Sequence, residues 1–447
     1  MKTCRFASTE VPVIGMYDTV VVGGGTAGAS AAISAARGGN RVLVVEREGS
    51  LGGTPVHALV TPMMPSFVPT HGENLQALEA RLREKGVVTR EDGPLMGYLW
   101  STPETLAEVL EELYGEQGGT TLYDATLVGC LVEDARIKAI LVMTVEGPRA
   151  ILAEQFVDAT GDAVLSRMAG VPCDSGDEGG NNQMSSLRFE MGGIDIGRYR
   201  NWCLSLGDEF SPLREGYFWE SAMVAGKGFK LEPLFREGVR RGLLEEDDLV
   251  YYQCFSIPGE PGCMTFNCPH LPTLKRNTDA LARSKALTEG RHRVRRLVAF
   301  LVAMMPGFEQ AFLIREANAL GVRESWRIQG TYTLTEADYL ARARFDDAVA
   351  KGDWYIDVHS ATEGLIHMDR FRKGEYYEIP YRCLTNDSIK NMLTVGRCIS
   401  TTFLVQASIR IQQTVIDMGD SAGMACARAH SLGIPLASFN GLGLTTR

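Results

Sequence analysis

The chain has 447 residues, 45% apolar and 22% charged, with a formal net charge of −10. That length can bury a large core and divides naturally into two domains. The acidic balance disfavours sequence-independent nucleic-acid binding, which needs Lys and Arg in excess. The longest clean apolar run, Leu297 to Met305, ends at Pro306 and is too short to span a bilayer, so no membrane insertion is expected. Residues 1–16 lack an apolar segment flanked by basic residues and read as a loosely ordered leader rather than a secretory signal. Ten cysteines are scattered without a CxxC pair. This speaks against zinc, a redox dithiol or an iron–sulfur cluster, and for a reduced, cytoplasmic protein.

Tyr17 to Glu46 reads as strand, turn, helix and parallel strand in one unit. A β-branched run, Thr19 to Val22, leads into Gly23, Gly25 and Gly28. Each glycine has its own reason: Gly23 permits the tight turn, Gly25 lets a pyrophosphate approach the backbone, and Gly28 lets the helix lie close to the sheet. Thr26 and Ala27 open that helix, whose N–H groups and positive end suit phosphates. The second run, Val42 to Val45, closes on Glu46, at the spacing where an acid reaches ribose hydroxyls. Arg47 follows, then Leu51, Gly52, Gly53 and Thr54. This acid, base and glycine-pair arrangement resembles the two-dinucleotide-binding flavoproteins and implies FAD rather than NAD.

Pro55 to Pro69 has the composition of a shaped cavity wall and carries His57. Pro103 opens a helix to about Glu116, with Leu106, Val109, Leu110 and Leu113 on its inner face. Thr121 to Val128, Ile137 to Val145 and Ala150 to Val157 read as a β-meander. Val128, where the first of these strands ends, is assigned to the cofactor set, as are Ala159, Thr160 and Gly161 of the ATGD segment, which resembles a second FAD signature. Beyond Arg167 an antiparallel region begins, and Tyr217, Phe218, Trp219, Tyr251, Tyr252 and Phe255 are expected in its core, with one or two at a substrate site. Asp279 to Met305 reads as a helix whose arginines 291, 293, 295 and 296 form a solvated face. Asn391 to Val395 reads as a last short strand before the helix from about Gln413 to Leu432.

PGFEQAFLIREANALGVRESWRIQG (306–330), with YTLTEADYL, YYEIPYRCL, NMLTVGRCISTTF and MGDSAGMACARA downstream, resembles the FAD-dependent oxidoreductase family related to the flavin subunit of heterodisulfide reductase. The family commonly has RESRR; Trp326 replaces the second basic residue, which is expected to alter the substrate pocket. The resemblance implies an α/β protein: a glutathione-reductase-like Rossmann domain for FAD, split between residues 17–166 and 385–447, with an α+β substrate domain inserted at 167–384. It carries Gly396, Arg397, Ser400 and Gly423 to the flavin.

Substrate-side candidates are Arg323, Glu324, Arg327, His359, Tyr381, Arg382 and Arg410. Arginine suits a carboxylate or phosphate, and the competing reading is buried ion pairs, for example Arg327 with Asp346 or Asp347. Alternation puts Tyr355, Asp357 and His359 on one strand face. The catalytic set is therefore His57, His359, Tyr381 and Arg327, with His359 either a proton carrier or a structural histidine. The expected activity moves a hydride between a small-molecule substrate and flavin N5. The alternatives are a flavin-dependent hydratase, isomerase or lyase, or an electron-transfer subunit. No second GxGxxG unit occurs, so electrons are exchanged with substrate, oxygen, a diffusible donor or an external partner. Fold analogy allows a homo-oligomer.

Overall fold

The computed structural model describes residues 10–87, 99–208, 219–360, 364–368 and 371–444. Two sheets carry the architecture. The first has seven strands. Its central strand, Val13–Val22, pairs in parallel with Val42–Val45 on one side and Gly147–Asp158 on the other. Val20, Val21 and Val22 are buried, which explains an unbroken apolar run where alternation would mark a half-exposed strand. Val13 to Met16, expected in the leader, extend this strand; the expected leader's first nine residues lie outside the described set.

The meander differs from expectation in one place. Thr120–Leu122 and Thr126–Glu133 are separate strands, the former parallel to Val42–Val45, the latter antiparallel to Arg136–Thr144. Asp124, with φ of 51°, turns the chain between them. Met392–Thr394 then adds in parallel beside Gly147–Asp158, so chain remote in sequence joins the first sheet.

The first helix, Thr26–Arg37, and the C-terminal helix, Gln412–Leu432, pack closely because neither carries bulk at the crossing. A Cβ on Gly419 would lie 2.2 Å from the Ala27 carbonyl, and one on Gly423 2.2 Å from that of Ala31. Ser30 Oγ donates to the Ile416 carbonyl at 2.7 Å, and Ser34 Oγ to Asp420. Gly423 therefore serves helix packing, not the flavin contact expected of it.

The second sheet is antiparallel, in the order Glu220–Met223, Tyr252–Ser256, Met264–Phe266, Phe189–Gly192 and Phe312–Glu316. Its core includes Trp219, Tyr252 and Phe255, whereas Tyr217 and Phe218 lie outside the described residues. The long helix Ala280–Met304 is capped by the Asp279 side chain, which accepts from the Ala282 N–H at 2.7 Å. Arg293 departs from the expected solvated face: it is buried and paired with Glu289, Asp247 and Asp248. Among the described residues no helix is long and apolar enough to cross a membrane.

Gly423→Ala tests the helix contact. Alanine favours helices intrinsically, but the Ala31 backbone cannot yield to a Cβ at 2.2 Å. The variant should lose on the order of 2 kcal/mol of stability in thermal or urea unfolding; an unchanged or raised midpoint would show that the helices are free to separate.

Candidate active site

A cavity of about 650 Å3 runs from the first glycine turn to the antiparallel sheet. At the turn, Gly23 has φ of +98°, and a Cβ there would lie 2.6 Å from the Ala159 carbonyl. Gly28 is tighter still, 1.9 Å from the Gly23 carbonyl, so it serves helix seating and does not line the cavity. Gly25 precedes the first helix in an extended conformation, with no side chain capping the helix and no acid in its first turn. The uncapped N–H groups of that end suit an anionic phosphate.

Glu46 is 6% exposed, lines the cavity, and accepts from the Gly24 N–H at 2.6 Å and the Glu48 N–H at 2.9 Å. A carboxylate has lone pairs beyond these two bonds, so a ribose hydroxyl can still donate to it. Gly53, with φ of +57°, presses against the first turn: a Cβ on it would be 2.7 Å from Gly25 Cα. Gly52 supports this contact by donating its N–H to the Gly24 carbonyl at 2.8 Å, but Gly53 and Thr54 are the members that line the cavity.

The ATGD segment is shaped by Asp158, whose carboxylate accepts from Thr160 N–H and Oγ1 and from Ser166 N–H and Oγ at 2.7 to 3.1 Å. Ala159, Thr160 and Gly161 thus face the cavity. Beside them Arg397 Nη2 donates to Asp162 at 2.9 Å, and Arg283 binds the same carboxylate at 3.1 Å. Burial alone would raise the Asp162 carboxyl; the two guanidiniums hold it well below the usual carboxylate range. Gly396 and Arg397 line the cavity, as do Thr26, Ala27 and Arg47.

Val128, Ser400, Tyr381, Arg327, Glu324 and Arg382 do not. Val128 is 42% exposed on the outward side of its strand, and Ala125, Thr126 and Leu127 line the cavity instead. Ser400 is buried against Thr333 Oγ1 at 3.0 Å. Tyr381 donates to the Leu436 carbonyl at 3.0 Å, inside the main core. Arg327 pairs with Glu324, which also accepts from the Gly176 N–H and from Asn182, so this is a structural hub and not reacting groups. The partner of Asp347 is Arg382, at 2.9 Å and away from the cavity. Trp326 lies under the Arg167 guanidinium, 4.1 Å from ring centroid to Cζ, and does not line the cavity.

The far end of the cavity holds His359, Asp357, Tyr355, Tyr251, Arg323, Arg410, and also Arg188, Glu220 and Asn267. The expected alternation holds: Ile356 and Val358 enter the core while Tyr355, Asp357 and His359 face the cavity. His359 Nδ1 lies 2.9 Å from His270 Nε2, and its Nε2 lies 3.5 Å from Asp357. Burial, reinforced by Arg323, pushes His359 down to about 4, and burial takes His270 well below its ordinary value, so the pair is neutral at pH 7. Arg323 is pushed down to about 9 by burial and then by Arg410, and Arg188 to about 10 by burial. Glu220 is pushed up to about 7 by burial, with only Gln253 opposing. Sequence reasoning missed Arg188, Glu220, His270 and Asn267. His57, at the wall between the two ends, lines the cavity with Nε2 3.2 Å from the Ser50 carbonyl.

A glycine turn under an uncapped helix end, a ribose-reaching acid and a second glycine pair define a dinucleotide-binding flavoprotein. The sequence pattern of the FAD dependent oxidoreductase family matches residues 18–441, and the chain belongs to that family. A curated relative, digeranylgeranylglycerophospholipid reductase of Methanoculleus marisnigri, is 28% identical over 218 residues, 45% of this chain and 52% of that protein. The match thus spans about half the length of that relative. Among solved structures, a geranylgeranyl bacteriochlorophyll reductase-like protein of Thermoplasma acidophilum has a TM-score of 0.49 at 13% identity, covering 94% of this chain and 80% of that one. The p-nitrophenol 4-monooxygenase PnpA of Pseudomonas putida DLL-E4 has a TM-score of 0.48 at 11% identity, covering 94% and 81%.

Glu220 gives the site a pH signature. Its folded value lies above the unfolded one, so its contribution is fully present below about pH 4.5 and is lost as pH rises through about 7. Wild type should therefore lose on the order of 2 kcal/mol of stability between pH 4 and 8 that Glu220→Gln does not lose; parallel stability curves for the two proteins would refute the buried, unpaired carboxyl.

Proposed function

We propose that the protein moves a hydride between a small organic substrate and its flavin, with the dinucleotide held at the glycine end of the cavity and the substrate at the histidine and arginine end. The observation that carries this reading is the continuity of a single cavity from Gly25 and Glu46 to Tyr251 and His359. When bound, FAD supplies the hydride-accepting or hydride-donating position, N5 of the ring. The split, glutathione-reductase-like organisation is part of the proposal: residues 17–166 and 385–447 form the FAD domain and 167–384 the substrate domain. Its support is the strand Met392–Thr394, paired beside Gly147–Asp158, and the cavity walls contributed by Val395, Gly396 and Arg397.

In this reading Gly23, Gly25, Thr26 and Ala27 hold the pyrophosphate, and Glu46 the adenosine ribose. Gly53, Thr54, Ala159 to Gly161, Gly396 and Arg397 confine the rest. The proton that accompanies hydride transfer needs a side chain within reach of substrate. His359 fits that task because it faces the cavity uncharged, with its Nδ1 2.9 Å from His270 Nε2. Asp357 orients the ring from its other nitrogen. His57 is the second cavity histidine and the alternative proton carrier. Arg397, tied to Asp162, fixes a positive charge at the wall shared by both halves of the FAD domain.

Two substitutions test the assignments. A Cβ on Gly25 would meet only Gly53 Cα, at 3.8 Å, so a side chain there fits the fold while filling the space for phosphate. Gly25→Val should fold, with unchanged circular dichroism, but purify colourless; a yellow Gly25→Val protein would refute the phosphate turn. His359→Ala should keep its flavin spectrum and lose roughly 100-fold or more in the rate of flavin bleaching by substrate. An unchanged rate would pass the role to His57.

A further inference from the structure

Buried arginines elsewhere in this protein are neutralised. Arg293 meets Glu289, Asp247 and Asp248, and Arg327 meets Glu324. Two arginines at the far end of the cavity break that rule. Arg188 is 2% exposed and Arg323 8% exposed, and neither has a carboxylate within 4.0 Å among the described residues. Arg323 donates only to neutral acceptors: the Met184 carbonyl at 2.8 Å, Ser186 Oγ at 3.3 Å and Asn267 Oδ1 at 3.3 Å. Arg188 Nε and Nη2 are buried without any partner, and these two atoms form one edge of the guanidinium. The third arginine of this chamber, Arg410, has its charge answered by Asp357 at 3.5 Å.

An unpaired buried guanidinium is costly: burial, then Arg410 and, less, Arg188 depress the ionisation of Arg323, and burial depresses that of Arg188. A ligand that brings the missing negative charge relieves both. We propose that the substrate is an organic acid whose carboxylate is held between Arg188 and Arg323, with Asn267 fixing the Arg323 fork. Arg188 lines the cavity, and its unpartnered, parallel Nε–H and Nη2–H groups match the two coplanar oxygens of a carboxylate once the guanidinium turns its buried edge toward the ligand. Phe255, with its ring centroid 5.9 Å from the Arg188 Cζ, and Ala222 give the same chamber apolar wall for the rest of the acid. Glu220 shares the chamber and, if fully ionised, would compete for the cations, but burial keeps its proton on through most of the acid range. This assignment rests on the proposed function for the location of the substrate end, and extends it to substrate class.

The test is calorimetric titration of the FAD-loaded protein with monocarboxylates from acetate to octanoate and with benzoate, each compared with its primary amide and with inorganic phosphate. The best acid should bind at least about tenfold more tightly than its amide and than phosphate. Arg188→Gln and Arg323→Gln should each lose about tenfold or more in acid affinity while retaining the flavin absorbance and the affinity for the amide. Amides binding as well as acids in the wild type, a comparison that requires no variant, would overturn the assignment. So would tighter binding of phosphate, or acid affinities unchanged in both variants. A chain that fails to hold FAD yet prefers acids would refute the flavin reading and leave the carboxylate site standing. A yellow protein indifferent to acids would do the reverse.

Discussion

The constraint on which the rest depends is the absence of side chains where backbones meet around the first turn. Gly23 lies against Ala159, Gly28 against the Gly23 carbonyl, Gly53 against Gly25, and Gly419 and Gly423 against the first helix, all at separations that would admit no Cβ. Overpacking at such contacts cannot be absorbed by rotamer changes, because the opposing atoms are mainly backbone. These approaches bring segments from residue 23 to residue 423 into one layer. The cavity is the space they leave, and its walls come from both ends of the chain because the C-terminal helix is seated on the first one.

Electrostatics then divide the cavity. At the glycine end the unpaired donors belong to a helix terminus, and the acid that closes the second strand, Glu46, is held by backbone N–H groups in a position set by that strand. At the other end the donors are buried guanidiniums, whose charges act more strongly than they would in water. Between them Arg397 and Arg283 share the single carboxylate of Asp162, an arrangement that ties both side chains down and leaves one positive charge in excess. The same residue type therefore has opposite meanings along a single cavity. Where a carboxylate answers the arginine, the pair fixes the wall; where none does, a ligand is implied.

The legible parts of the sequence were the local ones. The strand, glycine turn, helix and acid follow one another within thirty residues, so their chemistry could be read by spacing, and the alternation around His359 likewise needed only five residues. Reading failed where the deciding partner is distant. Arg327 looked reactive until Gly176 and Asn182, 148 and 142 residues before Glu324, locked that neighbour into an ion pair with it, and Tyr381 until its hydroxyl met Leu436. Val128 points outward because the chain turns at Asp124 and shifts which strand face meets the cavity. Arg188 carried a signal that was available: it sits between Leu187 and Phe189 in the segment SSLRFEMG, where both flanking residues enter the core. A charge inserted into such a run requires a reason, and only the fold reveals that no internal acid supplies it.

Neutral histidines beside unpaired arginines also fit together physically. Burial first, and then the positive Arg323, disfavour imidazolium, so His359 is pushed down to about 4 and is uncharged at pH 7 while it faces the chamber. An arriving anion would offset the second of these effects: a negative charge near Arg323 counters the field that helps hold His359 down, and its proton affinity would rise. The groups that would recognise the substrate and the group that would handle its proton are thus linked through one charge. A histidine poised this way becomes a competent proton carrier when the site is filled, and remains a weak base when it is empty.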